Sequence, residues 1–336
     1  HDVGNFSKTR VGIGLGDGGA PRGALDVRGD VNFHSLLASA NGGIETQITD
    51  QGIAYKVHSF TSTGTSQIKV DKAGFFECLV VAGGGAGGAS NGGGGGGGGV
   101  VIQRVFVHAG TYDVIVGTGN TSGTRDPGHG SVRSYSEYPA AKRGANSSVF
   151  GLLAIGGGNG GGDDYCGVDG GSGGGCSDDN QVIPGRGIQN QEGSNGYGNR
   201  GGFTRFNASA GSGGGGAGEP GYDCDPDRFL ADANNSWTAL GRDGGNGVGS
   251  TIRTGSIEYY GGGGGGAQRT SADTDVPGPG VGGKGGGGNG ASAQSTGSSG
   301  SANTGGGGGG SSRSVGAGVI DGGNGGSGIV VVRYKI

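Results

Sequence analysis

Apolar and polar residues alternate in short segments from residue 53 onward, and runs of glycine separate these segments. A period of two is typical of β-strands that bury one face. Because no helical period appears after residue 53, the sequence predicts an all-β fold. The two-residue link His108-Ala109 also predicts a hairpin formed by the strands on either side of it. The predicted strands cover residues 53–61, 65–70, 75–81, 101–107, 110–117, 148–155, 257–260 and 328–334.

Glycine makes up 96 of the 336 residues, and its main runs, at 83–99, 261–266 and 305–310, adjoin predicted strands. A flexible linker is the usual interpretation of such tracts, but linkers join domains, whereas these runs are interleaved with strands. Collagen is excluded because the chain has only 8 prolines and no glycine at every third position. Silk-like sheets would alternate glycine with alanine or serine. The remaining structure is the polyglycine II helix, an extended threefold helix that bonds its amides to neighbouring helices.

A bundle of glycine helices is expected to need support from a hydrophobic core. Ordering one residue costs about 1–2 kcal/mol, and glycine is at the costly end of this range. An inter-helix hydrogen bond contributes about 0.5–1.5 kcal/mol, and Cα–H contacts add about 0.5–1 kcal/mol, so the sum is close to zero. Since hydrophobic residues form only 30% of the chain, we expect one modest β core that clamps a core-poor glycine body.

The first part of the chain differs from the rest, because short strand signals surround a turn rich in glycine and proline. A module of this size cannot bury its own apolar residues, so we expect it to pair with a neighbouring chain by strand addition or by intertwining in a trimer. The predicted assembly residues are Val11, Ile13, Leu25 and Val27. The predicted divisions are an N-terminal β module at 1–34, a linker at 35–52 and a glycine-rich domain at 53–336.

Two sets of motifs resemble known families. The segment VGIGLGDGGAPRGALDVRGDVNF resembles a module of bacteriophage tail fibres and of surface proteins of large algal viruses. From residue 53, the motifs YKVHSFTSTGT, FFECLVVAGGGAGG, GTYDVIVGTG, NSSVFGLLAIGGGNGGG, IEYYGGGGGG and GGSGIVVVRY resemble the glycine-rich domain of phage tail fibres and of algal-virus and bacterial surface proteins.

This second resemblance implies a jelly-roll-like β-sandwich that carries an inserted bundle of polyglycine II helices. Related adhesins at phage fibre tips bind host surfaces through variable loops at the end of the glycine body. The present chain departs from a plain member of this family through long polar insertions at 163–200, 219–240 and 268–279. Binding residues of the family therefore do not transfer directly to these positions.

The four cysteines allow three complete pairings. Cys78 lies within an apolar strand and is expected to behave as a small buried hydrophobic residue. Cys166, Cys176 and Cys224 lie in polar, glycine-rich segments, where one disulfide would restrain a body that is short of core. The spacing of cysteines and histidines contains no pair typical of a zinc site.

The insertions hold one candidate metal site. Asp223, Asp225 and Asp227 alternate as in a calcium-binding loop. An EF-hand is excluded because Arg228 replaces its required glycine and Asn234 replaces its bidentate glutamate. A looser calcium site remains open and is the only cofactor that the sequence suggests.

Aromatic residues and glycosylation sequons mark the expected surface. The aromatic side chains could form a sugar-stacking surface, or they could cap the glycine bundle and shield its hydrogen bonds. The aromatic candidates are Tyr165, Tyr222, Phe229 and Trp237. Asn-x-Ser/Thr sequons, which are glycosylated where the producing cell or virus has that machinery, occur at Asn5, Asn120, Asn146, Asn207 and Asn234.

Charge and composition narrow the function. The net charge of −4 and the dispersed basic residues argue against nucleic acid as a partner, and no apolar segment approaches a membrane span. The five histidines form no triad or metal spacing, so we expect no enzyme. The sequence predicts an extracellular or virion-surface structural protein that assembles with itself into a fibre or filament. The alternative is a receptor-binding adhesin whose insertions recognise a host glycan or outer-membrane protein.

Overall fold

The computed structural model describes residues 37–121, 143–162, 166–177, 183–189, 196–204, 210–224, 230–231, 237–238, 241–268, 278–292, 295–312 and 320–336. These residues form strands, turns and extended segments without any helix, which confirms the all-β prediction. The module predicted at 1–34, with Val11, Ile13, Leu25 and Val27, lies outside the described residues. The strands are β1 (Ser39–Asn41), β2 (Ile44–Asp50), β3 (Ile53–Phe60), β4 (Gly64–Lys72), β5 (Gly74–Val81), β6 (Val100–Val107), β7 (Gly110–Val116), β8 (Ser147–Val149), β9 (Leu152–Ala154), β10 (Gly196–Tyr197), β11 (Leu230–Ala231), β12 (Trp237–Thr238), β13 (Val248–Ser250), β14 (Glu258–Tyr260) and β15 (Ile329–Lys335).

Two antiparallel sheets enclose the main core. The five-stranded sheet has the order β1-β4-β7-β8-β9, and the six-stranded sheet has the order β10-β6-β5-β15-β3-β2. Alternate residues of each strand point between the sheets, as expected for a sandwich. The jelly-roll order of the connections between strands stays a prediction. The buried side chains between the sheets include Ile68, Val70, Val114 and Val116 from the five-stranded sheet and Phe76, Cys78, Val80, Val330 and Val332 from the six-stranded sheet.

The opposite face of the six-stranded sheet, called the outer face below, carries a second and smaller core. Leu79 and Val81 of β5 point to this face, where they pack with Ile252 and Tyr260 from the hairpin of β13 and β14. The central strands β5 and β15 are therefore buried on both faces. This burial explains why β15 begins with the continuous apolar run of residues 329–332 instead of an alternating pattern.

The predicted hairpin across His108-Ala109 is wrong. β6 pairs with β5 and β10, whereas β7 pairs with β4 and β8 in the other sheet. The short link therefore crosses from one sheet to the other. β6 pairs with β5 because both strands continue into the same glycine hairpin, and this constraint does not appear in the alternation of either strand.

Two strands lie in the segment that the sequence predicts as a linker. β1 pairs with β4, and β2 pairs with β3 in register from Ile44 opposite Ser59 to Asp50 opposite Ile53. The two-residue turn between β2 and β3 has positive φ at both Gln51 (48°) and Gly52 (80°). Positive φ at both positions is the geometry of a type I′ hairpin turn.

The glycine segments have a hydrogen-bond period of three. In segment 93–99, every third amide donates to the same neighbouring segment, so the segment has three bonded neighbours. Three residues per turn is the period of a polyproline II helix. The acceptors lie in 155–161 for Gly93, Gly96 and Gly99, in 212–215 for Gly94 and Gly97, and in 305–308 for Gly95 and Gly98.

The three glycine runs found in the sequence form the centre of this body. Gly95 donates to Gly308, Gly264 donates to Gly95, and Gly307 donates to Gly262, so each run bonds to the other two. The backbones approach so closely that a Cβ atom built on Gly94 would lie 1.9 Å from the carbonyl oxygen of Gly264. Only glycine fits at such a distance.

Segment 83–99 extends the hairpin of β5 and β6 away from the sheets. Gly85 donates to Gly96, and Gly88 donates to Gly93, which continues the pairing register of the two strands. The segment reverses at Ser90 (φ 51°) and Asn91 (φ 57°). At about 3.1 Å per residue, the outgoing arm 83–88 projects roughly 19 Å from the sandwich.

Candidate functional site

The glycine body ends, away from the sheets, in a set of segment ends that bond to one another. This distal end is defined by Gly88, Gly211, Ala267, Ala291 and Ser311. Gly211 donates to Ala267, Ala291 donates to Gly310, and Ser311 donates to Gly88. The described chain stops or resumes next to these residues at 205–209, 269–277, 293–294 and 313–319. Several described segments of the body thus end together at this one place.

An exposed aromatic and charged patch lies near this end. This distal patch consists of Arg200, Phe203, Tyr222 and Asp223. Arg200 pairs with Asp223 at 2.8 Å (Nη1 to Oδ1), and its guanidinium lies 4.6 Å from the centre of the Phe203 ring. Tyr222 is 55% exposed and Phe203 38% exposed, so both rings offer surface for stacking.

Of the four predicted aromatic binding residues, only Tyr222 can be assigned a side-chain environment. Tyr165 and Phe229 lie outside the described residues, and Trp237 lies in β12, paired with Ala231. Phe203, another aromatic residue of this part of the chain, belongs with Tyr222 because β-bridge pairing between Thr204 and Cys224 aligns their two segments.

The structure describes only one of the three aspartates of the predicted calcium site. The Asp223 carboxylate accepts hydrogen bonds from the Arg200 guanidinium and from the Phe203 amide at 2.8 Å. Asp225 and Asp227 lie outside the described residues. Within the described ranges, no group of three or more metal-ligating side chains is assembled.

One disulfide joins Cys166 to Cys176, with the Cα atoms 4.2 Å apart, which confirms that one bridge forms among the three candidates. It connects two adjacent glycine-rich segments close to the distal patch, where the Cys176 amide donates to Ser212 Oγ at 2.7 Å. Cys224 is buried beside Thr204. Cys78 is fully buried in the sandwich, as predicted, and burial raises the pKa of its thiol to about 12.

Two of the five sequons lie in the described residues, and their asparagine side chains differ in exposure. Asn146 is exposed, and its Oδ1 accepts a hydrogen bond from the Gly156 amide. Asn120 is half-buried, and its Nδ2 donates to Asn159 Oδ1 at 2.9 Å. Asn5, Asn207 and Asn234 lie outside the described residues.

Sequence reasoning missed a buried cation on the outer face. Arg333 of β15 lies 2.8 Å from Asp50 and 2.8 Å from Glu77, and its guanidinium lies 4.1 Å from the Tyr55 ring centre. Burial works to lower the pKa of Arg333, but the hydrogen bonds that it donates to these carboxylates raise the pKa above its ordinary value. The signal that was overlooked is a single arginine inside the apolar strand IVVVRYK.

A shallow groove of about 630 Å³ lies beside this cation. Its walls are formed by β6 and by the β13–β14 hairpin, with exposed apolar surface from Ile257 and Tyr259. Arg104 and Glu77 also line the groove. The arrangement offers mixed polar and apolar surface, and the hydroxyl of Thr251, which also lines the groove, donates to Asp50 at 2.9 Å.

A second buried titratable group lies between the sheets. His58 is fully buried, and its Nδ1 donates to the carbonyl of Gly42 at 2.8 Å. Within the described residues, Nε2 has no hydrogen-bond partner. Burial lowers the pKa of His58, although Glu45, 3.7 Å from Nδ1, acts in the opposite direction. His58 is therefore a neutral core residue at pH 7.

Comparison with known proteins supports the larger resemblance at the level of the domain family. In the described residues, no helix could span a membrane. No curated protein matches the chain. A family model described as a glycine-rich domain matches residues 61–335, which is most of the chain. The chain belongs to this glycine-rich domain family.

Proposed function

We propose that this protein is a non-enzymatic, extracellular structural protein that forms a subunit of a surface fibre, virion fibre or filament. The observation that carries the proposal is the glycine body, in which neighbouring backbones are bonded on three sides and approach so closely that a Cβ atom at a central glycine such as Gly94 would collide with its neighbour. Such a body resists bending and leaves little backbone open to proteases. These are properties of a load-carrying element.

The disulfide supports a location outside the cytosol. Disulfides persist in oxidising environments outside the cytosol, and the bridge between Cys166 and Cys176 restrains a part of the molecule that has few apolar side chains. We propose the extracellular space or the virion surface as the site of action. The principal partner is a second copy of the chain, joined through the N-terminal segment.

Electron microscopy of the purified full-length protein tests the proposal. Long helical filaments, or fibres with a regular repeat, are the expected result. Monodisperse monomers at all protein concentrations would contradict a fibre subunit. Removal of residues 1–34 should abolish assembly and leave a soluble domain, and unchanged assembly would exclude the N-terminal segment as the connector.

A receptor-binding adhesin is the second candidate. It is favoured by the distal patch, where Tyr222 and Phe203 expose aromatic rings near the distal end of the glycine body. Replacing both Tyr222 and Phe203 by Ser should then abolish attachment to host surface or glycan arrays while fibres still form. A structural role predicts that attachment is unaffected by these changes.

A further inference from the structure

We propose that the outer edge of β2 accepts a strand from a second copy of the chain, formed by residues 11–15. This inference rests on the proposed function, in which the N-terminal segment joins subunits, and it adds the place where that segment binds. The product would be a head-to-tail contact in which each subunit gives one strand and receives one.

The four edges of the two large sheets differ in length. β1, β9 and β10, which form three of the edges, contain only 3, 3 and 2 residues. β2 forms the fourth edge and contains 7 residues. Proteins usually shorten, cover or charge their sheet edges, because an open edge pairs with other chains. Within the described ranges, β2 is the one long edge on which no strand lies.

The backbone of β2 has groups available for pairing. The two-residue turn at Gln51 and Gly52 sets Asp50 opposite Ile53 as a hydrogen-bonded pair, and such pairs alternate along an antiparallel ladder. The amides and carbonyls of Glu45, Gln47 and Thr49 consequently point away from β3. In the described part of the chain, none of these groups has a hydrogen-bond partner. Because the turn at Gly255 lies close to the carbonyl oxygen of Thr49, the groups open to an added strand are those of Glu45 and Gln47.

The side chains of β2 do not protect this edge. The strand IETQITD contains neither lysine nor proline, the residues that most often block edge pairing. Its two acidic residues are already paired, Glu45 with Lys56 at 2.7 Å and Asp50 with Arg333. Ile44 is 59% exposed on the outer face, so an added strand would also cover apolar surface.

The pattern of residues 11–15, VGIGL, fits this edge. As a strand, it would place Val11, Ile13 and Leu15 on one face and glycine on the other. The apolar face would continue the outer-face row that includes Ile44, and the glycine face would leave space for the Glu45 ion pair. Residues 16–36 could span about 70 Å when extended, which is enough to reach a neighbouring subunit.

The test uses the full-length chain with one variant for each side of the contact. Gln47→Pro removes an outward amide and should leave the β2–β3 ladder intact, because proline is tolerated at sheet edges. Gln47→Thr is the matched control. Val11→Asp combined with Ile13→Asp disables the donor strand. Circular dichroism and thermal unfolding establish that each variant is folded.

We expect wild type and Gln47→Thr to assemble, and each disabled variant to lose about tenfold or more of its assembled fraction at equal concentration. An equimolar mixture of the two disabled variants retains one intact edge and one intact donor, so it should give heterodimers and nothing longer. Differently tagged variants, co-purified and sized by analytical ultracentrifugation, measure this product.

The outcomes separate the two hypotheses. If wild type never assembles, the proposed function fails and the edge contact fails with it. If wild type and Gln47→Pro assemble equally, subunits join elsewhere and only the edge contact is overturned. If both variants are monomeric and their mixture gives no heterodimer, the N-terminal strand does not pass between copies at β2.

Discussion

Side chains fill the space between the two sheets of the sandwich, whereas in the glycine body the absence of side chains lets the backbones touch. Phe76, Ile68 and Leu79 are fully buried in the sheets and contribute apolar area. In the body, Gly94 and its neighbours contribute backbone hydrogen bonds on three sides. One region is stabilised mainly by burial of hydrocarbon, and the other by backbone pairing that is individually weak.

This difference predicts that the sandwich core and the glycine body respond in opposite ways to amino-acid substitution. A hydrophobic core accepts exchanges that conserve volume at a cost below about 1.5 kcal/mol. The glycines at 93–98 have no equivalent exchange, because a Cβ atom built on any of them would lie 1.9–2.3 Å from a backbone carbonyl oxygen. The sandwich should therefore vary in sequence where the body cannot.

The largest effect is expected from Gly95→Ala. The added Cβ would lie 2.3 Å from the carbonyl oxygen of Gly85, so the two arms of segment 83–99 must separate. We expect a loss of at least about 4 kcal/mol in unfolding free energy, or no soluble protein. Gly278→Ala is the control, because its Cβ would meet nothing within 4 Å. Chemical denaturation of both variants gives the comparison, and equal stability would refute close packing in the body.

Arg333→Met tests how much the buried ion pairs of β15 stabilise the sandwich. The change leaves Asp50 and Glu77 without their cation, and breaking a buried ion pair costs about 3–5 kcal/mol. Arg253→Met, which removes a half-exposed partner of Glu258, should cost no more than about 1 kcal/mol. Urea unfolding at pH 7 measures both, and similar losses in the two variants would argue against burial as the cause.

Removal of the disulfide should have an intermediate effect. The Cys166→Ser, Cys176→Ser double variant opens a loop with a sequence separation of 10, for which about 2–3 kcal/mol is expected. Reductant should lower the thermal midpoint of wild type and leave that of the double variant unchanged. A shift in both proteins would place the effect of reductant elsewhere.

The smallest effect concerns His58 and acid. Burial lowers the pKa of His58 below its ordinary value near 6.5, so the unfolded chain takes up the proton first. Its contribution to stability is complete above pH 6.5 and declines as the pH falls below that value, by at most about 1.4 kcal/mol per pH unit.

Unfolding measured in urea at pH 7.5 and at pH 5.5, for wild type and His58→Phe, isolates this contribution. The variant should be less stable at pH 7.5, because it loses the hydrogen bond to Gly42, but it should lose less stability on acidification. Parallel pH dependence of the two proteins would show that His58 is not the titrating group.

The sequence predicted β3 to β7, β14 and β15, because alternating or continuous apolar side chains report on which faces are buried, but it missed β1 and β2 in the predicted linker. It could not predict which glycine segments are neighbours, because the pairing of segment 93–99 with 155–161, 212–215 and 305–308 involves backbone atoms that every glycine shares. The wrong hairpin at His108-Ala109 has the same origin, since the glycine body fixes the partner of β6. The ion pairs of Arg333 were missed because it is a single charged residue after an apolar run, and Glu77 and Asp50 lie 256 and 283 positions away along the chain.

The threefold repeat of the glycine hydrogen bonds also limits how the length of this body can change. Inserting one residue into segment 93–99 would rotate all later amides by a third of a turn and direct them at the wrong neighbours. Inserting three would restore their directions and lengthen the segment by about 9 Å. Insertions that lengthen the body should therefore come in groups of three residues, placed in adjoining segments at the same time. The height of the body would then change in steps of about 9 Å.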